Sequence, residues 1–117
     1  MRNILSIVTL FVLMVPSSTL AQPDTLWTKT FGGDDEDKGL SVQQTTDGGY
    51  IITGITYSFG NGDKDIWLIK VDSQGEKEWD KTFGGDKDDI GEGIIESENN
   101  TFVVVAGTFS YGKGGDV

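Results

Sequence analysis

The stretch WTKTFGGDDEDKG (Trp27–Gly39) returns 52 positions later as WDKTFGGDKDDIG (Trp79–Gly91). The tryptophan, the run K-T-F-G-G and two of the aspartates fall on the same places in both copies. A period of about 50 residues is typical of architectures that stack copies of one supersecondary unit. The sequence therefore predicts that this chain builds the same unit twice.

The similarity continues beyond the quoted stretches. VQQTTDGGYIITG at Val42–Gly54 aligns with IIESENNTFVVVAG at Ile94–Gly107 when one residue is inserted. TYSFGNGDKDI at Thr56–Ile66 aligns with TFSYGKGGDV at Thr108–Val117 when one residue is deleted. A match of this length makes chance similarity a poor explanation, so the copies are expected to share one fold.

The alignment divides the chain into four parts. Residues 1–21 precede the repeat, residues 22–33 form a leading segment, and residues 34–85 form the first complete unit. Residues 86–117 form a second unit that stops inside its third strand-like run. Because the second unit is incomplete, this pattern predicts the N-terminal part of a longer protein, whose remaining units would be partners of these two.

The complete unit contains four runs rich in β-branched and aromatic residues, which favour strands. Turn-forming Gly, Asn and Asp residues separate the runs, and Asp47-Gly48-Gly49 is typical of a tight hairpin. The four runs are Leu40–Thr45, Tyr50–Tyr57, Asp65–Val71 and Lys77–Phe83.

Four antiparallel strands in about 50 residues are typical of one blade of a β-propeller. The predicted fold is therefore all-β, with four-stranded antiparallel propeller blades, one complete and one truncated. A β-sandwich and a β-solenoid are the alternatives. A sandwich has no reason to repeat itself, and a solenoid coil usually repeats every 20–30 residues or so.

Large aromatic residues are the predicted contacts between blades, namely Tyr50, Trp67, Trp79 and Phe83. The leading segment contains Thr25–Phe31 (TLWTKTF), which matches only the fourth strand of a unit. We therefore expect an outer strand there, able to complete the last blade of a ring and remove an open sheet edge.

Three motifs together resemble the tandem β-propeller repeats of secreted bacterial and archaeal proteins. They are W-x-K-T-F-G-G, T-x-D-G-G-Y-I-I-T-G and D-x-W-L-I-K-V-D-x-x-G. The resemblance covers Trp27 to Val117 and implies export and repeat architecture, often in large proteins with sorting or surface-attachment modules, but no particular reaction. Kelch repeats are a weaker match, because here the glycine doublet follows the outer tryptophan strand instead of the second strand.

The first 21 residues have the layout of a secretory signal peptide. Arg2 precedes an apolar run, Ile4–Val15, and Pro16 and small residues lead to Ala21. We predict cleavage before Gln22 and an exported, cell-surface or periplasmic protein. A retained anchor or a buried helix is the alternative, but the apolar run is shorter than the ~20 residues that span a bilayer.

The composition excludes several kinds of chemistry. With 9 Lys and Arg against 19 Asp and Glu, the net charge of −10 argues against nucleic acid or anionic lipid as a partner. The sequence has no Cys and no His, which excludes disulfides, thiolate metal sites and Ser–His or Cys–His nucleophiles. An acidic surface suits cation binding.

Acidic residues recur at equivalent places, Asp34 with Asp86 and Asp37 with Asp89. Recurrence favours a structural role, in which carboxylates accept hydrogen bonds from nearby backbone N–H groups. Calcium is the alternative, because DDEDKG and DKDDIG concentrate oxygen ligands in a loop.

The sequence departs from the EF-hand loop, the calcium-binding template with which these acidic stretches are compared. Lys38 and Ile90 occupy a position where an EF-hand loop needs a ligand. Asn61, Asp63 and Asp65 alternate correctly, but Ile66 follows where the loop needs glycine. We therefore predict no metal or cofactor, with loop-bound calcium as an alternative.

No catalytic residue is predicted. The predicted function is a non-catalytic binding or scaffold module with a protein or polysaccharide ligand. The alternatives are the N-terminal part of an extracellular carbohydrate-active enzyme, with its catalytic residues downstream, and a calcium-stabilised adhesion or surface-layer component. Four aromatic residues either cap the blade edges or stack on sugar rings, namely Tyr57, Phe59, Phe109 and Tyr111.

Overall fold

The computed structural model describes residues 25–111 except 62 and 99. The predicted signal peptide and the end of the second unit, from residue 112 onward, lie outside the described residues. Every regular element in the described part is a β-strand, which confirms the all-β prediction. Within it, no helix is long and apolar enough to cross a bilayer.

Six strands form two antiparallel sheets. The first four strands form sheet 1 in the order β1-β2-β3-β4, and the last two form sheet 2. They are β1 (Asp37–Gln44), β2 (Tyr50–Thr56), β3 (Asp65–Val71), β4 (Lys77–Phe83), β5 (Asp89–Glu96) and β6 (Phe102–Thr108).

The third and fourth strands have the predicted bounds, whereas β1 begins earlier than expected. The residues before Leu40 are polar, so the sequence pattern did not indicate a strand there. In the structure, Asp37 and Lys38 belong to the strand because they pair with Thr56 and Ile55 of the strongly apolar β2. The pairing partner, rather than local propensity, therefore decides where this strand begins.

Tight turns join the strands of each hairpin. Gly48, between β1 and β2, has φ of 85°, a left-handed conformation that glycine adopts without steric cost. The corresponding residue between β5 and β6 is Asn100, with φ of 58°. Asparagine is among the few other residues that tolerate this region, so a left-handed residue occupies the same place in both turns without the same sequence.

The β1–β2 and β5–β6 hairpins have the same register. Asp37 pairs with Thr56, and Asp89 pairs with Thr108. Each hairpin has an irregularity just after its third pair, between Gly39 and Ser41 in one and between Gly91 and Gly93 in the other. Equivalent positions therefore stay 52 residues apart along both hairpins, and the residue inserted in the alignment of Val42–Gly54 is wrong. The deleted residue falls after Tyr111, outside the described residues.

The two faces of sheet 1 are covered by different partners. On one face, the buried core consists of Tyr50, Ile52, Trp67, Ile69 and Val71, with Trp27 and Phe31 of the leading segment packed against it. On the other face, Ile51 and Leu68 form a cluster with Ile94 of β5. Sheet 1 thus lies between the leading segment and sheet 2.

The leading segment differs from its prediction, because it forms no strand. Trp27 instead places its ring edge-to-face on Tyr50, with centroids 5.9 Å apart, and its indole N–H donates to the carbonyl of Ser73 at 3.0 Å. Lys29 forms an ion pair with Glu76. Side-chain contacts, and not strand pairing, therefore hold this segment on sheet 1. Ring closure stays a prediction.

The contact between Trp27 and Tyr50 has an equivalent 52 residues later. Trp79 of β4 packs against Phe102 of β6, with ring centroids 6.0 Å apart. Of the four aromatic residues predicted to pack between blades, Trp79 contacts sheet 2, and Tyr50 and Trp67 pack against the leading segment instead. Phe83 is 49% exposed in the described part. Sheet 2 has only two strands in the described part, which leaves Phe83 uncovered, and the described residues form no closed ring of sheets.

One lysine is buried within sheet 1. The amine of Lys70 on β3 donates to the carbonyl of Val71 at 3.0 Å and forms ion pairs with Asp47 at 3.0 Å and Glu78 at 3.2 Å. Burial alone would lower the pKa of Lys70, but the hydrogen bonds to Asp47 and Glu78 outweigh it and raise the pKa. The charged amine therefore ties the first hairpin turn to β4.

Candidate functional site

Six strand ends meet at one end of the stacked sheets, which we call the loop end. The strands β1, β3 and β5 begin there, at Asp37, Asp65 and Asp89, and β2, β4 and β6 end there. Each of these odd-numbered strands therefore begins with a buried aspartate. Buried carboxylates need hydrogen-bond partners, so their partners show what each one does.

Asp37 connects three segments of the first unit. It accepts hydrogen bonds from the hydroxyl of Thr56, from the hydroxyl of Ser58 at 2.7 Å and from the backbone N–H of Gly33 at 2.9 Å. Burial alone would raise the pKa of Asp37, but these hydrogen bonds outweigh it and hold the pKa below its usual value. The ionised carboxylate fixes the loop that contains Gly32 and Gly33 to the end of β2.

Asp89 makes the same set of contacts in the second unit. It accepts hydrogen bonds from the hydroxyls of Thr108 and Ser110 and from the N–H of Gly85 at 2.9 Å. Burial again opposes ionisation, and the bonds from Ser110 and Thr108 hold the pKa of Asp89 below its usual value. The predicted structural role of this recurring aspartate pair is confirmed by these backbone and hydroxyl contacts.

Sequence reasoning missed the partners of these carboxylates. The triplets Thr56-Tyr57-Ser58 and Thr108-Phe109-Ser110 supply both hydroxyls, and each triplet recurs with its aspartate in both units. The recurrence of T-x-S together with the aspartate in both units could have indicated that these hydroxyls are the partners of the carboxylates.

Asp65 differs from the other two aspartates. The N–H of Asn61 donates to its Oδ2, while its Oδ1 is buried and has no hydrogen-bond partner among the described residues. Burial, followed by the nearby charge of Asp89, raises the pKa of Asp65. The sequence analysis considered Asp65 only as a ligand in the calcium alternative, and the structure buries its carboxylate.

The acidic loops hold no cluster of metal ligands. Among residues 25–111, apart from 62 and 99, no three acidic side chains gather at one point. Part of the acidic charge is paired with lysine, since Glu36 contacts Lys38 and Asp88 lies 3.1 Å from the amine of Lys64. Loop-bound calcium stays an alternative from the sequence.

The four recurring aromatic residues also lie at the loop end. The ring of Phe59 packs on Trp67 with centroids 5.3 Å apart, which matches the edge-capping alternative. The amine of Lys64 lies over the ring of Tyr57. Phe109 and Tyr111 are more exposed, and the hydroxyl of Tyr111 contacts the carbonyl of Gly84 at 3.4 Å. The rings of the first unit thus contact other side chains, while those of the second unit are more exposed to solvent.

An open groove of about 680 Å³ lies between the two sheets beside these rings. Its walls are mostly apolar, and Asp89 and the hydroxyls of Thr82, Thr108 and Tyr111 are its polar groups; the apolar residues are Ile66, Phe83, Val104, Val105 and Ala106. A mostly apolar groove with few polar groups suits ligand binding. It brings no pair of exposed carboxylates together, and no catalytic group is assigned to it.

No protein-family model and no curated protein matches this chain.

Proposed function

We propose that this chain is part of an exported β-propeller repeat protein that acts as a non-catalytic binding or scaffold module at or outside the cell surface. In this proposal the two sheets are successive blades stacked around a common axis. The loop end presents aromatic side chains to a protein or polysaccharide ligand.

The recurrence of contacts at a constant spacing supports the blade arrangement. The Trp27–Tyr50 contact recurs as the Trp79–Phe102 contact. The hydrogen-bonded carboxylates of Asp37 and Asp89, which we call the aspartate nodes, also recur with equivalent partners. Because a blade buries its faces against its neighbours, a further unit added in the same way would continue the stack. Stacking in a ring is what a propeller requires.

The observation that carries the binding role is the recurrence of exposed aromatic rings at the same end of both sheets. Tyr57 and Phe109 occupy equivalent positions, as do Phe59 and Tyr111, and all four are at least partly exposed. Tyrosine combines a large apolar ring with a polar hydroxyl, which suits contacts with amphipathic ligands such as sugars. Exposed apolar clusters beside a groove commonly mark interaction sites.

Charge restricts the class of ligand. The net charge of −10 repels polyanions at long range, so a neutral polysaccharide or a neutral to basic protein segment fits best. Acidic polysaccharides and nucleic acids are the ligands we expect not to bind.

The binding role is tested by titrating the chain with neutral oligosaccharides and with a basic peptide, followed by NMR shifts of backbone amides. We expect shifts confined to the loop end and at least tenfold weaker binding for Tyr57→Ala and Tyr111→Ala. Leu26→Ala is the matched control, because Leu26 is an exposed apolar residue away from the loop end. Equal effects of all three substitutions would contradict the proposal.

Export is tested separately by expressing the whole gene product in a bacterial host. Mass spectrometry of the mature protein is expected to find Gln22 at the N-terminus, in the periplasm or the medium. An intact N-terminus in the cytoplasm would contradict export while leaving the binding role open to its own test.

A further inference from the structure

Two buried aspartates from different sheets face each other at the loop end. Asp65 begins β3 and Asp89 begins β5, and each is 1% exposed. The N–H of Asp89 donates to the carbonyl of Lys64 at 2.7 Å, so the main chains of the two strand starts are directly joined. The side chains are thus held together by a contact between the sheets.

Gly84 locates the two carboxylates relative to each other. A Cβ atom on Gly84 would overlap Oδ1 of Asp65 and would lie 2.8 Å from Oδ2 of Asp89. The two carboxylate oxygens therefore share the small space that a side chain at residue 84 would fill. Beside Gly32, the equivalent of Gly84, the nearest atoms all belong to Asp37, so the described part holds this carboxylate pair only at the junction between the sheets.

The two carboxylates have unequal partners. Asp89 accepts hydrogen bonds from two hydroxyls and one N–H, whereas Oδ1 of Asp65 accepts none. A buried oxygen without a donor, next to a second negative charge, disfavours the ionised form of Asp65. A proton on Asp65 removes the charge and supplies a donor facing Asp89.

We propose that Asp65 is a proton-binding site at the junction of the two sheets, where a proton taken from solvent is shared with the ionised carboxylate of Asp89. Uptake forms one O–H bond on Asp65 and converts two repelling carboxylates into an acid–carboxylate pair. The contact between β3 and β5 therefore strengthens as the pH falls through the range in which Asp65 titrates.

The other charged groups around the pair do not supply the missing partner. Lys64 adjoins Asp65 in the chain, but its amine pairs with Asp88 and lies over the ring of Tyr57. On the neighbouring strand β2, Thr56 donates its hydroxyl to Asp37. From the second sheet, the hydroxyl of Tyr111 contacts the carbonyl of Gly84. Asp63, in the preceding loop, is exposed.

The direction of the pKa changes agrees with this geometry. Burial and the charge of Asp89 raise the pKa of Asp65, while hydrogen bonds hold the pKa of Asp89 below its usual value. A group whose folded pKa is raised stabilises the fold below its unfolded pKa, and this contribution is lost as the pH rises through the folded value. Above the folded pKa of Asp65, the ionised pair therefore weakens the junction.

The first test is an NMR titration of the side-chain carboxyl carbons of the wild-type chain between pH 2.5 and 7.5. We expect Asp65 to titrate above the usual aspartate pKa of 3.8 and Asp37 and Asp89 to titrate below it. Asp65 titrating at or below 3.8 would overturn the proposal, and this measurement does not depend on whether a variant folds.

The second test compares the denaturant unfolding of wild type and Asp65→Asn across the same pH range. The amide is neutral and can donate to Asp89, so we expect the variant to be more stable at pH 7, with the difference disappearing toward pH 3. Each pKa unit between the folded and unfolded values corresponds to about a tenfold change in the unfolding equilibrium constant. Asp34→Asn, which removes an exposed charge, is the control and should show no such pH dependence.

Two outcomes would overturn the proposal in this second test. One is an Asp65→Asn variant that is no more stable than wild type at pH 7. The other is wild type gaining stability from millimolar CaCl₂ at pH 7 while Asp65→Asn gains none, since the pair would then hold a cation instead of a proton.

Discussion

Ile51 of β2 and Val103 of β6 occupy equivalent places in the two sheets but have opposite surroundings. Ile51 is 0% exposed because Ile94 of sheet 2 covers it, whereas Val103 is 48% exposed. Val105 is likewise open, although its equivalent Thr53 is fully buried. The comparison shows that the neighbouring sheet decides whether an apolar side chain is buried. Sheet 2 carries β-branched apolar residues on a face that no other described sheet covers.

The largest expected difference comes from truncating the two equivalent residues. Ile51→Ala should destabilise the chain by about 2–5 kcal/mol, because it leaves a cavity between the sheets. Val103→Ala should change the free energy of unfolding by less than about 0.5 kcal/mol, as for other exposed positions. Urea unfolding followed by tryptophan fluorescence measures both values, and similar losses would show that both faces are buried in solution.

The two aspartate nodes should respond alike, because their partners are the same. Asp37→Asn and Asp89→Asn should each cost about 1.5–3 kcal/mol, the range for hydrogen bonds to a buried charged group. Both pKa values are lowered on folding, so this stability is present above the unfolded value and is lost as the pH falls through the folded value.

Denaturant unfolding of both asparagine variants at pH 7 and at pH 3 checks this prediction. Their deficits relative to wild type should shrink at the lower pH. A deficit at one node only would show that the two units are not structurally equivalent.

The hairpin turns should differ in their response to acid. Asp47 accepts hydrogen bonds from Thr45, Gly49 and Lys70, which lower its pKa to about 2, whereas the second turn has Asn99 in that sequence position. Asp47→Asn should therefore cost less than the substitutions above, and its effect should fade between pH 4 and pH 2. Thermal unfolding at these pH values measures it; an effect independent of pH would contradict the role of the charge.

The smallest effect is expected at equivalent surface lysines. Lys29 pairs with the exposed Glu76, and Lys81 lies 5.6 Å from the ring centre of Trp79. Exposed ion pairs and exposed cation–π contacts each contribute about 1 kcal/mol or less. Lys29→Ala and Lys81→Ala should thus both fall within that limit in chemical denaturation, and only the loss for Lys29→Ala should decrease in 0.5 M NaCl.

The sequence predicted the strands well where local pattern and pairing agree. The runs at β3 and β4 are bounded by clear turns, and their limits matched the structure. The start of β1 at Asp37 was missed because a polar residue there is held by pairing with Thr56 and not by its own propensity. The leading segment matched a strand in sequence, but a strand also needs an edge to pair with.

The candidate site was less predictable, because burial is a property of the assembled sheets. The recurring aspartates were identified from the sequence, but their hydroxyl partners were not. Asp65 looked like a loop ligand from its spacing, whereas Gly84 and Asp89, distant in sequence, enclose its carboxylate. Phe83 was expected to be core, but the described part of sheet 2 does not reach over it.

The buried amine of Lys70 also has a consequence for chemical labelling. Acylating reagents need a neutral, accessible amine, and this one is charged, enclosed and held between Asp47 and Glu78. Exposed lysines such as Lys38 and Lys81 should react within minutes, while Lys70 should react only when its hairpin opens transiently. Its acylation rate, followed by peptide mass spectrometry, would therefore report how often this turn opens locally in the native protein.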